Sequence, residues 1–140
     1  MNCDPETAKR FLISAALDEI EMVCDYVDSG GLPADATYNG KPTALAYAAL
    51  NANPYLVEFL IARGADPNHR DALEMTPLHY AALGACAACT RLLIAAGADR
   101  TLRNRFGKPP SALLPAHMET SLKSALLRLY QGSPPVAAVM

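Results

Sequence analysis

Apolar positions recur along the chain in two alternating patterns. Within residues 43–66, "TALAYAALNANPYLVEFLIARGAD", Thr43 opens a short alanine-rich run, and a polar break at Asn51 and Asn53 follows. Leu56, Phe59 and Leu60 then return at spacings of three and four, the signature of one helical face. The pattern predicts two helices joined by a tight turn. Thr43 is a helix N-cap, and Asn53 followed by Pro54 reads as a second N-cap and its first helical residue. Gly64 stops the second helix, where a residue free of Cβ strain in the left-handed region is wanted. Asp66, Asn68, Asp71 and Asn104 supply turn chemistry between such pairs.

The pattern repeats. Residues 43–70 and 76–103 align without a gap at an offset of 33 residues: Leu45 over Leu78, Tyr47 over Tyr80, Leu60 over Leu93, Gly64 over Gly97. The offset reaches back to Leu12, Leu17 and Gly31, and forward to Pro109, Pro110 and Leu126. A single domain over 1–131 is expected, with units at 5–37, 38–70, 71–103 and 104–131, and a disordered tail at 132–140. The end units depart from the plan. Unit one lacks the Thr-Pro start, and unit four carries Pro115 where Ala82 stands, which is expected to break or shorten its first helix. Atypical ends suit a stack whose terminal faces no neighbour buries, so these units read as caps.

The words "EMTPLHYAA" (74–82) and "GADPN" (64–68), together with the period, resemble the ankyrin repeat. The resemblance implies an all-α solenoid of stacked helix-turn-helix repeats with β-hairpin-like fingers between units and a concave surface. It implies that His79 bonds within its own turn as part of the core. It also implies a non-enzymatic protein–protein interaction module, an adaptor or an inhibitor of a partner protein. Binding positions in such repeats are the finger tips and the concave side of the first helix. Carried onto this chain, they are Asn39, Arg70, Leu73, Met75, Arg103, Arg105, Phe106 and Lys108 on the fingers, and Leu50, Asn51 and Leu83 on the concave face. Leu17, Leu50 and Leu83, one period apart, either expose an apolar stripe or seal the two helices of each unit.

Composition and charge narrow the partner. The chain is 51% apolar with 19% charged residues, enough for a core. No apolar run reaches membrane-spanning length, and the acidic opening residues do not read as a secretory signal, so a cytoplasmic setting without a membrane partner is expected. Net charge is −2 but uneven: residues 1–62 hold three basic and nine acidic side chains, a net of −6, and residues 63–140 hold nine and five, a net of +4. Such a layout orients a charged partner. Nucleic acid is disfavoured, because the overall charge is negative and Phe106 alone interleaves the basic strip.

Little else points to chemistry. "HRD" at 69–71 and "FGK" at 106–108 lack the flanking residues of a kinase catalytic loop and a phosphate loop. Zinc needs about four ligands, and Cys3, Cys24, His69, His79 and His117 are scattered over different units, so no metal, cofactor or small-molecule substrate is expected. Cys86 and Cys89 form a C-x-x-C. Register assigns Cys89 to the core position of Leu56 and Cys86 to the N-cap position of Asn53. A helix N-terminus favours a reactive thiol, so a redox role for Cys86 with Cys89 stands as the alternative function. A structural subunit of a larger assembly is a third.

Overall fold

Small capping residues and prolines set where the helices begin. The structure, a computed structural model, describes residues 4–131. Cys3 and the tail expected at 132–140 lie outside the described residues. Asp4 accepts the backbone N–H groups of Glu6 and Thr7 and opens α1, Pro5–Ala16. Helix α2 is Ile20–Asp28. Thr43 caps α3, Ala44–Leu50, and Asn53 caps α4, Pro54–Ala62. Thr76 caps α5, Pro77–Leu83, and Cys86 caps α6, Ala87–Ala95. A 3-10 turn, Pro110–Leu113, and α7, Thr120–Gln131, complete the order. Each cap satisfies donors that the first helical turn leaves orphaned.

The helices stack as an all-α solenoid. Helix α3 packs between α1 and α5, and α5 packs on the 3-10 turn; α4 packs on α6, and α6 on α7. Alanine makes the inner row possible. Ala44, Ala48, Ala49, Ala81 and Ala82 are all fully buried, and their small side chains let neighbouring helices approach closely. Between the rows, Leu45, Leu56, Leu60, Leu78, Leu93 and Leu126 form one continuous core. Truncating any of these to alanine is expected to cost about 2–5 kcal/mol.

Pro115 acts as expected. The first helix of the last unit shrinks to the 3-10 turn, and Leu114 beyond it is extended. Helix α7 closes that end through the Tyr130 and Thr90 hydroxyls, 2.9 Å apart, and through Arg100, which donates to the Leu129 carbonyl at 3.1 Å.

Two details differ from the sequence reading. No strand occurs among the described residues: the segments between units are turns joined by single backbone hydrogen bonds. The first unit is also out of phase by one residue at its turn. The left-handed residues between helices are Asp18, Ala52 and Ala85, so Ala16 matches Leu50 and Leu83, and Leu17 matches the helix-ending residues Asn51 and Gly84. One more residue separates Asp18 from Gly31 than Ala52 from Gly64, which restores the phase.

Candidate functional site

Three tight turns project between the helix pairs, and backbone geometry fixes each. In the first, Asn39 and Gly40 both have positive φ (48° and 68°), and the Lys41 N–H donates to the Tyr38 carbonyl at 2.9 Å. This Asn-Gly pair is the usual solution for a two-residue reversal. In the second, Asp71 Oδ1 accepts the N–H groups of Leu73 and Met75 at 2.9 and 3.0 Å. In the third, Asn104 Oδ1 accepts those of Phe106 and Lys108 at 2.9 and 3.1 Å. Each side chain thus ties its own turn closed. Asp71 Oδ2 also accepts the buried Tyr80 hydroxyl, and burial with that bond raises the Tyr80 pKa.

Neighbouring turns are then locked in line. The Ala72 N–H donates to the Gly40 carbonyl and the Arg105 N–H to the Leu73 carbonyl, both at 2.9 Å. A Cβ on Gly40 would lie 2.8 Å from the Ala72 Cβ, so close stacking excludes a side chain there. Leu73 is 42% and Phe106 68% exposed. Two large apolar side chains therefore stand on tips that a backbone bond holds side by side.

His79 anchors the third tip from below. Its Nδ1 accepts the Thr76 N–H at 3.1 Å, completing a reciprocal cap with the Thr76 hydroxyl. That leaves Nε2 to carry the proton and donate to the Lys108 carbonyl, 2.9 Å away. Burial lowers the His79 pKa and keeps the ring neutral.

The remaining sequence candidates divide. Met75 is a correction: it is 7% exposed and packs in the core, because it precedes the Thr76 cap, where an apolar side chain turns onto the helix. The Arg70 guanidinium donates to the Arg103 carbonyl, and Arg103 donates to the Gly107 carbonyl at 3.2 Å, so both brace the tips while remaining exposed. Arg105, Lys108 and Asn39 are exposed. Leu50 and Leu83 are 37% and 43% exposed, so they do not seal their units. The Asn51 amide donates to the Ala15 and Ala16 carbonyls at 3.1 and 3.2 Å, joining α3 to α1.

Other features escaped the sequence reading. A cavity of about 260 Å³ opens where α1 meets the first tip, lined by Lys9, Ile13, Tyr38, Lys41 and Tyr47 among others. Ile13 is exposed although Phe11, Leu12 and Ala15 around it are buried. Its place on the helical wheel, off the face those three define, was the available signal. Several first-unit acids serve the stack: Asp28 pairs with Arg63 at 3.2 Å, Asp18 accepts from Asn53 at 2.8 Å, and Asp35 accepts the Asp66 N–H at 2.8 Å.

Cys86 and Cys89 sit as the register requires, Cys86 capping α6 and Cys89 fully buried. Among the described residues, no group of three His, Cys, Asp or Glu side chains is placed to hold a metal ion, and no helix is long and apolar enough to cross a membrane.

A family model of ankyrin repeats, in three copies, matches residues 3–105. Among curated proteins none matches the chain.

Proposed function

The chain belongs to the ankyrin-repeat family, whose repeats are generally protein–protein interaction modules, typically without enzymatic activity, and on that premise we propose that it recognises a partner protein through its finger tips and the adjoining concave face. The observation that supports this reading most is the pairing of exposed Leu73 and Phe106 on tips tied by the Arg105–Leu73 backbone bond. Rigid apolar anchors lose little conformational freedom on binding, which is what a binding hot spot needs. Arg105 and Lys108 flank them as a basic rim, Arg70 and Arg103 add positive charge, and the partner's matching surface is acidic. Leu50, Leu83 and Asn51 extend the contact along the inner helices toward the opposite end of each unit.

Bound this way, the module acts as an adaptor or as an inhibitor covering a partner's functional surface. The test has two stages. The protein is used as bait in its native source, and the captured partner is purified. Its affinity is then measured for wild type and for Leu73→Asp combined with Phe106→Asp. A loss of about 30-fold or more is expected for anchors of this kind. Unchanged affinity rejects the assignment. Assaying the partner's own activity with and without the module separates inhibitor from adaptor.

A further inference from the structure

Cys86 and Cys89 are the chemistry that recognition by the fingers leaves unused. Cys86 caps α6 and Cys89 lies in its first turn, at the end of the unit away from the fingers. Both are free thiols, and their sulfurs are 2.7 Å apart. Cys86 is half-buried, whereas Cys89 is completely enclosed. The backbone N–H of Cys89 points at the Cys86 sulfur from 3.2 Å. The Cys86 sulfur thus meets both the backbone N–H and the sulfur of Cys89. Burial first, and then the hydrogen bond with Cys86, push the Cys89 thiol up, so the enclosed Cys89 is not the sulfur that reacts first. The preceding unit builds the same corner with Asn53 and Leu56, an amide cap and an apolar core residue. The fold at this corner therefore has no need of sulfur.

We propose that Cys86 and Cys89 form a thiol–disulfide exchange site, in which Cys86 attacks a low-molecular-weight disulfide and Cys89 resolves the product. In the first step the Cys86 thiolate displaces one half of the disulfide, forming a mixed disulfide and releasing a thiolate that takes up the proton Cys86 gave up. In the second, Cys89 loses its proton and attacks the Cys86 sulfur, releasing the other half as a thiol. Two protein thiols are oxidised to one intramolecular disulfide, and one small disulfide is reduced to two thiols. The sulfurs close from 2.7 Å to about 2.05 Å, a short movement for side chains already in contact. The site adjoins the seam to α7: the Thr90 hydroxyl donates to the Cys86 carbonyl at 2.8 Å and lies 2.9 Å from the Tyr130 hydroxyl. This proposal stands apart from the finger-tip reading, and neither depends on the other.

The probe is oxidised glutathione, added to the full chain and read by peptide mass spectrometry. Wild type is expected to lose two hydrogens between Cys86 and Cys89 and to retain no glutathione there. Cys89→Ala is expected to stop at a Cys86–glutathione mixed disulfide. Cys86→Ser is expected to leave Cys89 unmodified, because the buried sulfur is out of reach. A persistent adduct on wild-type Cys86, modification of half-buried Cys24 ahead of Cys86, or full reaction of Cys89 in Cys86→Ser each overturns the proposal. The wild-type product decides closure by itself if Cys89→Ala does not fold.

Discussion

The Nε2 of His79 lies 2.9 Å from the carbonyl oxygen of Lys108, so a buried histidine of one repeat holds the root of the next repeat's finger. Because Nδ1 accepts the Thr76 N–H, the ring is needed neutral, and burial holds its pKa below the ordinary value of 6.5.

Stability is therefore expected to depend on pH in one direction. In the unfolded chain His79 binds a proton near pH 6.5, while in the folded chain it resists until lower pH. The unfolded state binds more protons in that window, so stability is full above about pH 6.5 and falls as the pH drops toward the folded value. Urea unfolding at a series of pH values between 5 and 8 checks this, with His79→Gln expected to flatten the slope. An undiminished slope in that variant would assign the dependence to other groups.

At the helix-ending position of successive units, the stack uses two different solutions. Asn51 reaches back to the Ala15 and Ala16 carbonyls, whereas Gly84 lets the backbone itself approach. A Cβ on Gly84 would lie 2.7 Å from the Leu50 carbonyl oxygen and 2.8 Å from that of Ala49. Gly84→Ala is expected to destabilise by about 1–3 kcal/mol, since rigid backbone must shift. Asn51→Ala, at an exposed site, is expected to cost about 0.5–1.5 kcal/mol. Denaturant midpoints rank the two, and the reverse order contradicts this account of the seam.

Asp71 and Asn104 close equivalent turns, but only Asp71 also takes a buried hydroxyl, that of Tyr80. Asp71→Ala leaves that donor and two backbone N–H groups without their acceptor, and a loss of about 1–3 kcal/mol is expected. Asn104→Asp keeps an oxygen acceptor in place and is expected to change stability by well under that amount. Thermal melts of both variants give the comparison.

The repeat made most of this legible in advance. Thr43, Asn53, Thr76 and Cys86 were readable as caps because each precedes an apolar run at a fixed offset, and Pro115 was readable as a breaker from its ring alone. A gapless 33-residue register failed where unit one adds a residue: Leu17 looked like Leu50 but occupies the place of Asn51. An insertion within a helix-to-loop junction leaves no compositional trace. Met75 failed for another reason. Tip and cap are adjacent in sequence, and Met75, next to the Thr76 cap, turns onto the helix with the cap rather than outward with the tip. Ile13 and the cavity beside Tyr38 and Tyr47 depend on how α1 meets the first finger, a contact between units that no single unit's pattern contains.

The most direct measurement is a calorimetric titration of the purified partner against wild type, Leu73→Asp with Phe106→Asp, and Tyr55→Asp. Tyr55 is 81% exposed and lies on α4, the second helix of its unit, whereas the proposed contact uses the finger tips and the first helix. The double variant is expected to lose about 30-fold or more in affinity while Tyr55→Asp binds as wild type does. Equal binding by the double variant, or a loss confined to Tyr55→Asp, would place recognition on another face of the molecule.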